Sequence, residues 1–276
     1  WIENPEEHGM GDGFVPKTPD WKKEVDWAEV VVFDDVLGMG KMADELRSRG
    51  KPVVGGSPYT DRLEDDRGFG QQELKAAGVS IISQQNFTSF DEAITYVQDN
   101  PNRYVIKPSG EAQNIKRLLF VGEEEDGRDV LQVLNDYKKF WTDKVKDFQL
   151  QRRIVGVEVA VGAFFNGKEF VLPINVNFEH KKLFPGDIGP PTGEMGTSMF
   201  WSEPNKIFNA TLKKMEPKLA EEKYTGYIDV NCIVNNNGIY PLEFTSRFGY
   251  PCVSIQQEGL LTPFADVLKG LADGSL

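Results

Sequence analysis

Asp229–Val230–Asn231–Cys232–Ile233–Val234–Asn235–Asn236–Asn237–Gly238–Ile239–Tyr240–Pro241–Leu242–Glu243–Phe244–Thr245–Ser246–Arg247 reads as two strands around a strong turn signal. A three-residue hairpin loop ends on a residue in the left-handed region, where glycine has no steric cost. Placing Gly238 there makes the loop 236–238 and pairs Asn235 with Ile239. Counting back in antiparallel register sets Asn231 opposite Glu243 and Asp229 opposite Thr245. Residues two apart on a strand share a face. Asp229, Asn231, Glu243 and Thr245 therefore form one patch of oxygen donors, and Ser246 and Arg247 follow at once. Such a patch suits a hard cation held against a polyphosphate. Mg²⁺ (or Mn²⁺) takes oxygen ligands, few of them from protein and the rest from water and phosphate.

The surrounding chain has 276 residues, enough for one large domain or two smaller ones. Hydrophobic residues make up 39% and charged residues 27%, the balance of a soluble globular protein. With 43 acidic against 31 basic residues the net charge is −12, which argues against nucleic acid or an anionic membrane as partner. A phosphate site needs only a few local cations and N–H groups, so a nucleotide stays open. No apolar run approaches the ~20 residues of a membrane span. Cys232 and Cys252 are the two cysteines and His8 and His180 the two histidines. That reads as reduced thiols of a cytoplasmic protein, with little room for a histidine metal site. Trp1 stands where a natural chain would carry Met, so a natural N-terminus is expected to be missing.

The pattern along the chain is mixed α/β. Trp27–Phe33 ends in a β-branched run, Gly38 and Gly40 lead into a helix through Met42, Leu46 and Arg47, and Lys51–Val54 is the next strand: a βαβ unit. Asp61 is expected to cap a helix running to about Ala77, with Gly78 just past its end. Val79–Ile82 opens a different region. Ser89–Phe90–Asp91–Glu92 has the form of a capping box before an amphipathic helix. Tyr104–Lys107 and Leu118–Val121 read as strands around a loop, and Asp129–Trp141 as a helix. Phe148–Ile154, Glu158–Phe165 and Phe170–Asn177 read as strands, Ala210–Glu222 as helical, and a last helix runs through Leu260, Phe264, Val267 and Leu271.

Two stretches carry a resemblance. One is Glu179–His180–Lys181–Lys182 with Asp187–Ile188–Gly189–Pro190–Pro191–Thr192–Gly193–Glu194–Met195–Gly196; the other is Glu243–Phe244–Thr245–Ser246–Arg247–Phe248–Gly249–Tyr250–Pro251. Over about residues 28 to 274 the chain resembles the ATP-grasp ligases, and among them the phosphoribosylamine–glycine ligases. These read roughly Asp-His-Lys-Arg, then Asp-x-Gly-Pro-Asn-Thr-Gly-Gly-Met-Gly, and Glu-Phe-Asn-x-Arg-Phe-Gly-Asp-Pro. The resemblance implies an ATP-grasp fold with a mobile lid subdomain at about 79–152. It also implies a partial N-terminal βαβ domain over 1–60 and the ATP-grasp domain over 61–276. The implied reaction is purine-pathway ligation of a small carboxylate, glycine first, to an amine through an acyl phosphate, with ATP and Mg²⁺.

Residue by residue, Lys107 and Arg67 match phosphate-binding lysines, and Gly110 belongs to the lid loop. Gln151, Arg152, Arg153 and Ile154 match the segment that cradles adenine, and Glu158 the ribose glutamate. Glu243, Asn231, Asp229 and Thr245 would serve the metal, and Arg247 would neutralise phosphate or orient Glu243. Lys182, Asp187, Pro191, Thr192, Gly193, Glu194 and Met195 would line the site for the glycine and amine substrates, in a loop whose glycines let N–H groups approach an anion. His180 reads as a structural, hydrogen-bonded histidine.

The chain also departs from the family. Thr245 stands where the family has a metal-binding Asn, Tyr250 replaces Asp and Cys252 replaces Glu. The glycine-rich lid turn is reduced to Lys107-Pro-Ser-Gly-Glu-Ala-Gln-Asn-Ile-Lys116, where Glu111 adds negative charge and Lys116 or Arg117 offers compensation. The family's first strand, before Trp27–Phe33, and its C-terminal domain, after Ser275, are expected to lie outside this sequence, as in a fragment, unless the chain is a reduced, divergent relative. Two alternatives therefore stand beside the first: a ligase of the same mechanism for another carboxylate and amine, and a nucleotide-binding module without turnover. The residues do not indicate an oligomeric state.

Overall fold

A computed structural model describes residues 9, 11–34, 38–109, 112, 115 and 118–276. Within these, β1 (Val31–Val32) and β2 (Val53–Val54) pair in parallel across α1 (Gly40–Ser48), as a βαβ unit demands. The expected helix from Asp61 to Ala77 is two helices: α2 (Pro58–Asp65), capped by Ser57, and α3 (Arg67–Ala76), capped by Asp66. The break has a local cause. The Asp66 carboxylate accepts the Phe69 N–H, an N-cap bond that starts a new helix. Asp61 is not the cap; its carboxylate accepts from the Gly40 N–H at 2.7 Å. Gly70 is needed for packing, because a Cβ there would sit 2.7 Å from the Leu63 carbonyl oxygen.

Residues 79–82, where a different region was expected to open, carry no regular element. A strand begins later, as β3 (Gln84–Phe87), and joins β4 (Tyr104–Pro108), β5 (Phe120–Val121) and β6 (Phe148–Arg152) in a four-stranded sheet ordered β3-β6-β4-β5. α4 (Phe90–Asp99) and α5 (Arg128–Phe140) cover one face. There Phe87, Phe90, Ile106, Leu134, Phe148 and Leu150 make a separate core. Alternation sends Lys107, Gln149 and Gln151 to the opposite face.

The larger sheet has the order β11-β10-β7-β8-β9, all antiparallel, from β7 (Val157–Asn166), β8 (Phe170–Phe184), β9 (Ile188–Ser202), β10 (Thr225–Asn235) and β11 (Gly238–Thr245). One face carries Val159, Val161, Ile228, Val230, Cys232 and Phe244, packed with Leu63, Leu74, Phe208 and Leu219. The expected helix Ala210–Glu222 is α6 (Lys206–Ala210), a 3-10 turn over Leu212–Met215 and α7 (Glu216–Glu221). The last helical stretch is likewise split, into α8 (Cys252–Glu258) and α9 (Phe264–Asp273), with Leu260 between them. Both turns of helix pack on Phe164, Tyr227 and Phe248.

Two corrections bear on the site. The β10–β11 turn is a two-residue turn: Asn235 pairs with Gly238, not Ile239, and no left-handed residue is used. The Asn235 side chain closes it by accepting from the Asn237 and Gly238 N–H groups. A bulge then shifts the register, since Cys232 pairs with Pro241 and Asn231 with Glu243, leaving Leu242 as the extra residue. The two differences cancel, so Asn231–Glu243 and Asp229–Thr245 are cross-strand pairs as expected. The Gly-Pro stretch 189–196 is not a free loop but part of β9, the outer strand of the sheet. It is irregular all the same. His180 pairs with Gly196 and Lys182 with Pro191, so four residues of β9, Thr192 to Met195, stand opposite Lys181 alone.

Candidate active site

Alternation on the large sheet leaves one face free of the main core. It presents Glu158 from β7, Asn175, Asn177, Glu179 and Lys181 from β8, Tyr227, Asp229 and Asn231 from β10, and Glu243 and Thr245 from β11. Across the top of this face the charges interlock. The Lys181 ammonium lies 2.6 Å from Glu158, 3.5 Å from Glu179 and 3.9 Å from Glu243. Arg67, at the start of α3, reaches the other Glu243 oxygen at 3.3 Å. Asn231 donates its Nδ2 to Glu158 at 2.8 Å, which leaves its Oδ1 buried without a partner.

Electrostatics follow from this geometry. Burial works against a charged Glu243, but Arg67, Lys181 and Lys107 together outweigh it and hold its pKa below the ordinary value. Burial also opposes the Lys181 charge, yet Glu243, Glu158 and Glu179 outweigh it and raise its pKa. Lys107 has the opposite fate. Burial, then repulsion from Arg67, pulls it down to about 8 despite Glu243 and Glu158. Deeper in the face, burial and then the Glu179 carboxylate push Asp229 up to about 8, while Tyr227 and Thr245 hydrogen-bond to it. Asp229 and Thr245 thus engage each other.

Beneath lies a polar floor. Asn175 donates to Asn177 Oδ1 at 2.8 Å and to the Tyr227 hydroxyl at 2.9 Å. Asn177 donates to the Cys252 sulfur at 3.4 Å, and that thiol donates to Glu194 at 3.5 Å.

The structure brings together Arg67, Lys107, Glu158, Asn231 and Glu243 from the residues expected by sequence. Others stand apart. Arg247 pairs through Nε with Glu64 at 3.0 Å, and Glu64 also accepts from the Ser246 N–H at 2.9 Å, so this arginine is anchored to α2. Lys182, one residue past Lys181, faces the other side of the hairpin. Asp187 sits in the β8–β9 turn at φ 58°, 3.8 Å from His180, whose Nε2 meets the Phe184 carbonyl at 3.1 Å. Thr192 crosses the irregular stretch to donate to the Lys181 carbonyl at 2.8 Å, and Met195 is exposed. Pro191 pairs with Lys182 and Gly193 lies in the irregular stretch. Gly110, with Glu111, Lys116 and Arg117, lies outside the described residues.

Gln151 is buried, its amide 3.5 Å from Gln84. Arg152, Arg153 and Ile154 line a cavity of about 570 Å³ with Arg103, Asn235 and Tyr240. A second, of about 480 Å³, is lined by Arg67, Lys107, Asn86, Ser109 and Gln149 among others. Sequence reasoning missed Lys181, Glu179 and the Asn175–Asn177 floor. The signal was present as polar residues at 175, 177, 179 and 181, a period of two that continues β8 past Asn177.

The donor set is oxygen-rich, but its carboxylates are engaged by cations of the chain: Glu158, Glu179 and Glu243 by Lys181, and Glu243 also by Arg67. Among the described residues no cluster of three or more His, Cys, Asp or Glu is arranged to hold a metal ion. The orphaned Asn231 Oδ1 beside Glu243 fits a single hard cation whose other ligands come from phosphate and water.

Residues 65–253 match the family model "Phosphoribosylglycinamide synthetase, ATP-grasp (A) domain". The chain belongs to this family. Among relatives, the phosphoribosylamine–glycine ligase of Methanocella arvoryzae is 29% identical over 252 residues, covering 85% of this chain and 55% of the relative. That of Halalkalibacterium halodurans is 27% identical, covering 88% and 58%. The chain thus spans little more than half the length of these curated relatives. Among solved structures, the phosphoribosylamine–glycine ligase of Thermotoga maritima superposes with a TM-score of 0.68 at 21% identity, over 98% of this chain and 68% of that one. An ATP-complexed D-alanine–D-alanine ligase from Bacillus anthracis gives 0.54 at 16%, over 94% and 83%. The fold is therefore that of the ATP-grasp ligases. No helix among the described residues is long and apolar enough to cross a membrane.

Proposed function

We propose that this chain is the ATP-grasp portion of an ATP-dependent carboxylate–amine ligase, acting in purine biosynthesis on glycine and phosphoribosylamine. The observation that carries this is the interlocked row Arg67–Glu243–Lys181–Glu158 with the orphaned Asn231 oxygen. It alternates cations suited to phosphate with oxygens suited to a metal. The names of the family and of the relatives supply the substrates.

In this reading Arg67 and Lys107 hold the β- and γ-phosphates, Arg67 by its planar fork and Lys107 as a point charge. Residues 151–154 and Glu158 hold the adenosine end. Glu243 and Asn231 hold Mg²⁺, which when bound neutralises charge on the transferring phosphoryl group. The γ-phosphoryl passes to a carboxylate oxygen of the acid substrate and ADP departs. The amine nitrogen then attacks the acyl carbon, phosphate leaves and the nitrogen loses a proton. The protein's share is positioning and charge neutralisation. The four-stranded sheet with α4 and α5, at about 79–152, is the lid; residues 1–60 form an N-terminal βαβ unit and 61–276 the ATP-grasp domain. Thr192, Glu194, Asp187 and the other residues of 182–195 remain candidates for the substrate side.

A second reading has an observation of its own. Tyr250, where the family has Asp, donates to Asp34 at 2.9 Å beside the βαβ unit. That alters the wall facing the substrates and favours a different carboxylate or amine.

ADP release from MgATP, measured with glycine and freshly made phosphoribosylamine alone and together, tests both. Release only with both substrates, abolished in Glu243→Gln, is the expected result. ATP binding by calorimetry without release for any pair supports a nucleotide-binding module instead.

A further inference from the structure

Lys181 belongs to the row that carries the proposed function but is assigned no ligand of its own there, yet it sits at the centre of the site. Its ammonium touches carboxylates from three strands: Glu158 of β7, Glu179 of β8 and Glu243 of β11. The backbone around it is specially built, with four residues of β9 set against this one and Thr192 donating to its carbonyl. Arg67 holds the second Glu243 oxygen. The side chain a metal would need is therefore already paired on both oxygens, by two cations of this chain.

We infer that Lys181 is a resident cation. It occupies the carboxylates that the divalent ion needs and gives them up only when metal and nucleotide arrive together. This rests on the metal reading of Glu243 and Asn231. The physical argument is one of partner exchange. A free divalent ion approaching Glu243 meets Lys181 and Arg67, like charges within 4 Å of the carboxylate it must share. A free polyphosphate must draw the same two cations off carboxylates that would then be left partly buried, close together and unpaired. With both present, the phosphates take the cations, and Glu243 takes the metal with the partnerless Asn231 Oδ1; of the two orphaned carboxamide oxygens on this face, Asn231 and Asn175, it is the one on the residue paired across the strands with Glu243. Asn231 is only 5% exposed, so that oxygen lacks solvent as well as a protein partner. Lys181 is in this sense a positioning residue for loading, and its effect is on metal binding in the absence of nucleotide.

The test uses Mn²⁺ as probe and electron paramagnetic resonance to count the free ion. Nucleotide-free protein is compared with Lys181→Met, which keeps length and removes charge, and with Lys181→Arg, which keeps charge. Lys181→Met should bind Mn²⁺ at least tenfold more tightly than the parent, and Lys181→Arg should match the parent. The gain should vanish in Lys181→Met combined with Glu243→Gln. Equal Mn²⁺ affinity in the parent and Lys181→Met overturns the inference. If Mn²⁺ binding to the parent with ATP still depends on Glu243, the metal reading survives that failure. If no Mn²⁺ binding depends on Glu243 with or without ATP, both fall together. A measurement on the unsubstituted chain covers the case in which Lys181→Met does not fold. The ¹⁵Nζ resonance of Lys181, assigned with Lys181→Arg, should shift when Mg²⁺ and ATP are added together and hold still for Mg²⁺ alone. A shift of the same size with Mg²⁺ alone overturns the inference.

Discussion

In the proposed function Lys107 binds phosphate, which it can do only while protonated, and it sits close to losing that proton. Its pKa of about 8 has burial as the main cause, with Arg67 adding to it. Phosphate favours the charged form, so ATP affinity should be level below pH 8. Above it, affinity should fall by up to about tenfold per pH unit, because each binding event must recruit a proton. Calorimetry at pH 8 in buffers of different ionisation enthalpy should show proton uptake on binding, and Lys107→Met should bind weakly at every pH with no uptake. For folding the sign is the reverse. The unfolded lysine holds its proton more tightly, so Lys107 adds stability as pH rises from about 8 toward 10.5. At this scale the sequence was a good guide where a residue's neighbours are fixed by strand pairing, as for Glu243 and Asn231. It was a poor one for Arg247, because Glu64, its partner, lies 183 residues earlier and nothing local announces the pairing.

That pairing belongs to the scale of elements. Glu64 closes the C-terminal turn of α2 onto the end of β11, accepting from the Ser246 N–H at 2.9 Å and from Arg247 Nε at 3.0 Å. Glu64→Ala leaves both donors without this acceptor on a largely buried surface. It should cost about 2 kcal/mol, less than a fully buried pair because Arg247 is partly exposed. Urea unfolding should show the lower midpoint with an unchanged slope. The elements themselves were legible where apolar periodicity and caps agreed, as in α4 after Ser89 and in α5. They were misread where one residue had two uses. Asp66 both ends a helical run and caps the next, so a single long helix was the natural expectation. Gly238 looked like a left-handed turn residue, yet the Asn235 side chain closes a shorter turn. The bulge at Leu242 then restored the pairing that matters. The site pairs were read correctly by a route in which two errors of one residue cancelled.

For the whole molecule, the face of the small sheet that carries Lys107 meets the charged face of the large sheet, and the main core of each sheet lies on its other side. The core under α4 and α5 is built around Phe148, whose ring stacks on Phe90 at 4.8 Å and on Phe87 at 5.9 Å. Phe148→Ala should cost about 3–5 kcal/mol there. Hydrogen exchange should localise the loss to 84–152 and leave protection of β7, β8 and β10 near that of the parent, since those strands draw on the other core. Equal loss across both sheets would mean that the two layers unfold as one. The cleft was legible only in part at this scale, since which residues of two separate sheets meet is set by packing between layers, and no local pattern records it. Lys181 is the clearest case: its motif neighbours drew attention to Lys182, and only the length of β8 shows which of the two faces inward.

The position of β9 has a consequence of another kind. Among the described residues it is an outer strand of the large sheet, fifteen residues long, with Phe178, Phe184, Ile188 and Phe200 exposed around it. A margin of that sort offers a second molecule a template for growth, strand upon strand. Pro190 and Pro191 remove two consecutive N–H groups from it. Consecutive residues point those groups to opposite sides, so one of the missing donors belongs to the open side. The same two residues that make this strand irregular thus make this chain a poor seed for its own aggregation.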